Sequence, residues 1–173
     1  MATEPTSPSP SPSPTPMTDE QKAVVQAEAL VRQYYAVLDD VGSDPTADLG
    51  ALESVAISQE LAVRQQQYTD WRRDGWQQSG KQQLADVVPH SVNLDNSDPA
   101  NGRVPSVQVD VCVDVSDVDV VDAAGTSVVE PDRATVGWVR HTVANYSWNT
   151  DAELGWRVAV SEDLQQAPCE PAS

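Results

Sequence analysis

Apolar residues return every three or four positions along the first half of the chain and every second position along the second half. Val24, Ala27, Leu30, Val31, Tyr34, Leu38 and Val41 form one stripe of a helix that Gly42 ends. Its start is written in TDEQ at 18–21. Thr18 is the expected N-cap, Gln21 reaches back to it, and Asp19 and Glu20 put negative charge where the helix dipole favours it. Asp44-Pro45 then turns the chain, and Leu49, Leu52, Val55 and Ala56 predict a short second helix that acts as a lid. Ser58, followed by Gln59 and Glu60, predicts the start of a third, with Leu61, Arg64, Tyr68, Trp71 and Gly75 along one side.

From Gly80 the period becomes two. Leu84, Asp86, Val88, His90, Val92 and Leu94 are expected to share one face of a first strand, which the loop DNSDPANG ends. The stretch VQVDVCVDVSDVDVVD at 107–122 is the second strand, RATVGWVRHTVANYSW the third and LGWRVAVSEDL the fourth. In the second, Val107, Val109, Val111, Val113 and Val115 point one way, but the valines resume at Val118 and Val120. This slip near Ser116 and Asp117 predicts a bulge that bends the sheet. The alternative is that the strand ends at Ser116 and a new one begins. Turns are expected at Asp122–Thr126 and at Pro131-Asp132.

Composition narrows the classes. The segment TEPTSPSPSPSPTP alternates Ser or Thr with Pro, which blocks helix and sheet and favours an extended, solvated spacer. The organisation read from this is a tether over 1–17, one domain over 18–169 and a tail over 170–173. Such spacers commonly stand between an anchor and an exported domain. The opening MATEPTSPSP has neither the charged nor the apolar region of a signal peptide, so a leader or lipid-attachment segment upstream is the expectation. No apolar run approaches the roughly 20 residues that cross a bilayer. Ten Lys+Arg against 27 Asp+Glu give a net charge of -17, which repels phosphate backbones and disfavours nucleic acid as a partner. Two cysteines, Cys112 and Cys169, beside an exported-type linker favour a disulfide over free thiols. Closing so long a loop would contribute about 4 kcal/mol.

Three N-terminal helices followed by a strongly bent antiparallel sheet of about four strands is the order of the nuclear transport factor 2-like (cystatin-like) cone, an α+β fold. Tyr34-Tyr35 with LDDVGSDP, the run into RRDGW, the segment VCVDVSDVDVVDAAGTSVVEPDR, the late GWRV and Cys169 resemble small secreted proteins and lipoproteins of high-GC bacteria with that fold. The resemblance covers about residues 18–169, and the middle segment is its most specific part. It implies an extracellular or cell-surface location behind the spacer, with the two cysteines available to pair. It does not imply a biochemical role.

The wider fold includes ketosteroid isomerases and polyketide cyclases, in which a carboxylate or histidine inside the cone moves a proton. Asp86, His90 and His141 are the residues that could do so here, if the predicted faces place them in the cavity. Lone histidines in strands, however, are more often structural. Asp110, Asp114, Asp117, Asp119 and Asp122 show no calcium-loop spacing, and the histidines and cysteines make a poor zinc set, so no metal and no cofactor are expected. Arg64, Arg72 and Arg73 with Trp71 and Trp76 form the single basic island, expected mainly to complement the helix end. Trp138, Tyr146 and Trp148 read as an aromatic stripe that is core or the lining of an apolar pocket. The expectation is therefore a non-enzymatic domain binding a protein partner or small apolar ligand. A proton-transfer enzyme and a structural part of a larger assembly are the rivals, and a homodimer through the open sheet face stays open.

Overall fold

The computed structural model describes residues 16–171. The tether expected over 1–17 lies, up to residue 15, outside the described residues, as do the last two positions of the tail.

Helix α1 spans Asp19–Ser43 and begins as its sequence dictates. The Gln21 N–H donates to Thr18 Oγ1 at 3.2 Å, and the Thr18 N–H donates to Gln21 Oε1 at 2.8 Å, the reciprocal pair of a capping box. The buried face carries Ala27, Leu30, Val31, Tyr34, Leu38 and Val41, together with Tyr35 and Asp39. The second predicted helix is instead a six-residue 3-10 turn, Leu49–Ser54, opened by Asp48 accepting from the Gly50 N–H at 2.9 Å. Leu52 and Val55 are fully buried and Ala56 bridges Val158, so this segment is a plug in the core and not a lid over it. Helix α2, Ser58–Asp74, has Ile57 at its N-cap with no side-chain hydrogen bond, so Ser58 does not cap it. It ends on Gly75, whose φ of 73° is the left-handed conformation that glycine adopts at little cost.

The strands are β1 Gln77–Ser79, β2 Gln83–Asn93, β3 Ser106–Asp114, β4 Asp119–Val121, β5 Val136–Asn145 and β6 Trp156–Asp163. β2, β3, β5 and β6 form an antiparallel sheet in that order, and β1 and β4 pair separately. The fold is α+β, as expected, but with two sheets where one was predicted. The bulge expected at Ser116 is absent. β3 stops at Asp114, the Val118 N–H closes a turn onto the Val115 carbonyl at 3.0 Å, and the chain re-enters as β4 against β1. The one-residue slip marks a change of sheet.

Bulges occur elsewhere. In β2, Ala85 and His90 are each an extra residue against the regular β3, and in β6 Ala159 is extra against β5. Two bulges shift the phase of β2, so that Leu84, Val87 and Val92 pack on the core while Asp86, Val88 and His90 are exposed. Across β3 the valines at 107, 109 and 111 are fully buried beneath the helices. Cys112 points to the opposite face, yet it is buried as well, because Cys169 bonds it with a Cα–Cα distance of 6.0 Å and lays the C-terminal segment over it. The predicted disulfide is present.

Candidate functional site

β6 ends opposite Val139, three residues into β5, whereas β3 accompanies β5 from Val136 onward. Where β6 stops, a cleft of about 500 Å³ opens between α2, the second half of α1 and the start of β5. Its apolar wall includes Leu38, Val63, Val113, Val136 and Trp138, and its polar side carries Tyr35, Glu60, Arg64 and Ser161.

Those polar groups belong to two adjoining sets of hydrogen bonds, one around Glu60 and one around His141. The helical stripe of α1 sets Tyr34 and Tyr35 side by side against the sheet, with ring centroids 5.3 Å apart. The first turns of α2 supply Glu60 and, one turn on, Arg64. The Arg64 Nε–H donates both to Glu60 Oε1 at 2.7 Å and to the Tyr34 hydroxyl at 2.8 Å, and Tyr34 itself donates to Glu60. Inward-facing positions of β5 and β6 supply His141 and Ser161, which are register partners. His141 Nε2 lies 2.9 Å from the Tyr35 hydroxyl and Nδ1 lies 2.8 Å from Ser161 Oγ, and the Ser161 hydroxyl stands near enough to Glu60 to favour its ionised form.

The Glu60 carboxylate only accepts, so Tyr34 and Arg64 donate to it, while each ring nitrogen of His141 meets one hydroxyl, Nε2 that of Tyr35 and Nδ1 that of Ser161. Burial disfavours the charged imidazolium and pushes the His141 pKa down to about 4, so the ring is neutral at pH 7. Burial pushes Glu60 upward, but the Arg64 charge and the hydrogen bonds from Tyr34, Ser161 and Arg64 outweigh it and hold the carboxyl below its usual range. Burial raises both tyrosines, which stay protonated donors. Arg64 loses some basicity to burial but gains more from Tyr34 and Glu60, and it stays charged. The result is one ionised carboxylate, one cation and four neutral groups: Tyr34, Tyr35, His141 and Ser161.

Of the residues the sequence put forward, His141 alone of the three proton-transfer candidates stands inside. Asp86 lies on the outer face opposite Cys112, and His90 is a bulge residue 3.8 Å from Asp110, whose carboxylate is held bidentately by Arg140 at 2.6 and 2.8 Å. The expected shared face fails because the two bulges of β2 turn it outward. The aromatic stripe also divides. Trp138 reaches the cleft rim from the outer face, β5 ends at Asn145, exposed Tyr146 lies beyond it, and Trp148 packs edge-on to Trp156 at 5.8 Å. The basic island disperses. Arg64 enters the cleft, Arg72 donates to the Ala47 carbonyl, and Arg73 pairs with Asp70 and Asp74 at the surface. Glu60, Tyr35 and Ser161 were missed as site residues. The Glu60–Arg64 spacing of one helical turn was the one local signal for them.

No protein-family model matches this chain, and no curated protein matches it. Among solved structures, the crystal structure of the intermembrane space region of the chloroplast protein ARC6 has the same overall arrangement, with a TM-score of 0.56 at 15% identity over 87% of this chain and 100% of that one. At that identity the likeness concerns the fold alone. No helix among the described residues is long and apolar enough to cross a membrane.

Proposed function

We propose that the chain is an exported, surface-tethered, non-enzymatic binding domain of the nuclear transport factor 2-like kind, and that the cleft between α2 and β5 holds an apolar part of a protein partner or small ligand. One observation carries this reading: both nitrogens of His141 are occupied, by Tyr35 and Ser161, and the Glu60 carboxylate already accepts from Tyr34 and Arg64. A general base needs a free lone pair within reach of substrate. Here the network shapes a wall, and the apolar residues opposite it supply the attraction. The disulfide supports an oxidising, extracytoplasmic compartment, and the Ser/Thr-Pro spacer supports presentation from a surface.

The test is fluorescence titration with N-phenyl-1-naphthylamine, a neutral apolar probe. Saturable one-site enhancement is expected, lost in Val63→Asp at the half-exposed rim and unchanged in the Asp86→Asn, His90→Gln double variant. Absence of saturable binding, or binding that ignores Val63→Asp, contradicts the proposal. A proton-transfer enzyme remains the second reading, favoured by the Tyr35 and Ser161 hydroxyls on either side of His141 reaching the cleft. It requires deuterium incorporation into an enolisable cyclic ketone that His141→Gln abolishes, and the leading reading predicts none.

A further inference from the structure

The cleft is a vacated strand position. Along β5 the backbone groups alternate in direction. The Val115 N–H donates to the Thr135 carbonyl at 2.7 Å on the β3 side, and the Leu164 N–H donates to the Trp138 carbonyl at 2.8 Å on the β6 side. Val136, two residues before Trp138, therefore turns its N–H and C=O toward the β6 side. By register its partner there would be residue 166. The chain has already left: the Gln166 N–H folds back onto the Leu164 carbonyl at 2.9 Å, and the segment crosses to the outer face, where Cys169 is bonded to Cys112. Among the described residues no main-chain group pairs with Val136 on that side. A strand lane, about 4.8 Å wide per strand, is left open beside β5 with α2 as its far wall.

Natural sheets protect such edges with charged residues or proline. Residues 134–138, Ala-Thr-Val-Gly-Trp, carry neither, and all five line the cleft. The free pair of groups on Val136 matches a peptide backbone, while Leu38 and Val63 offer contacts to alternate side chains. Charge selects further. Asp163 lines the cleft, Glu60 is already matched by Arg64, and the whole chain carries a net charge of -17.

We propose that the lane beside β5 is a strand-docking site for an extended, apolar segment of a partner protein flanked by lysine or arginine. This rests on the cleft being the binding site and narrows its occupant to a polypeptide that pairs through its main chain.

The test uses the full disulfide-bonded chain and the peptide acetyl-KVTVTVK-amide, compared with the same peptide N-methylated at every internal amide. The second keeps charge and side chains but cannot pair. Titrations are followed by amide NMR. The expected result is saturable shifts centred on residues 134–138, slowed exchange of the Val136 amide, and at least tenfold weaker binding of the methylated peptide. Val136→Pro removes an N–H that the ladder to β3 does not use, and should weaken binding at least tenfold with the β3–β5 amides still protected. Should that variant fail to fold, Val63→Asp on the exposed rim gives the same readout. Equal binding of the two peptides, which would reflect charge and side chains without main-chain pairing, or shifts away from residues 134–138, overturns the inference. Entry of N-phenyl-1-naphthylamine without peptide binding overturns it while leaving the cleft a small-molecule site. Failure of both probes overturns the cleft reading itself.

Discussion

The most consequential single residue is Arg64. Glu60 is ionised in a site where a lone carboxylate would be costly, and the guanidinium one turn along α2 offsets that cost. Arg64→Ala leaves a buried charge uncompensated and is expected to lower stability by about 3–5 kcal/mol at pH 7, measured by urea unfolding. The Arg64→Met, Glu60→Gln double variant should recover most of it. The sign with pH is fixed by the direction of the Glu60 shift. Its folded pKa is depressed, so its contribution is complete above the unfolded value and is lost as pH falls through the folded one. Arg64→Ala should remove that acid-dependent part. At this scale the sequence was informative for α1, whose buried stripe and cap could be read residue by residue from spacing. Ser161, about a hundred residues from Glu60, could not be joined to it, because only the packing of α2 on β6 brings them near each other.

At the scale of elements, the two sheets meet where the β1–β2 link passes the β3–β4 turn. Gly80 holds φ at 75°, and a Cβ there would come within 1.8 Å of the Asp117 carbonyl oxygen. Gly80→Ala combines left-handed strain with a backbone clash and should cost at least about 2 kcal/mol, read as a lower urea midpoint with an unchanged slope. The turn it would displace is the same Ser116-Asp117 stretch at which the valine alternation slips. Periodicity located that break correctly but could not say what it was, since a bulge and a change of sheet displace side chains identically. The partner strand decides, and β1 is a three-residue segment too short to announce itself by pattern. The bulges of β2 were hidden for the opposite reason. Leu84, Val88 and Val92 alternate plausibly with polar residues, so a strand containing two inserted residues read as an unbroken one.

For the whole molecule, the disulfide joins β3 to the segment that follows β6 across 57 residues and carries the C-terminal segment off the β5 edge. Cys112→Ser with Cys169→Ser should lower stability by about 4 kcal/mol and the melting temperature by roughly 10 °C, by calorimetry under oxidising conditions. A smaller loss would mean that the segment holds its place without sulfur. The pairing was legible from two cysteines and a spacer, while the cleft was not, because it arises from β6 ending early and not from any run of residues. The account as a whole turns on both ring nitrogens of His141 being occupied, by Tyr35 and by Ser161, in a closed set of contacts with no lone pair left for a substrate. Because the folded His141 pKa is depressed from 6.5 to about 4, its contribution is complete above about pH 6.5 and fades as pH falls toward 4. Ring-nitrogen NMR of His141 across pH 3–8 tests the closed set directly. The account predicts a neutral ring at pH 7 and a midpoint near 4, and a midpoint near 6.5 would contradict it.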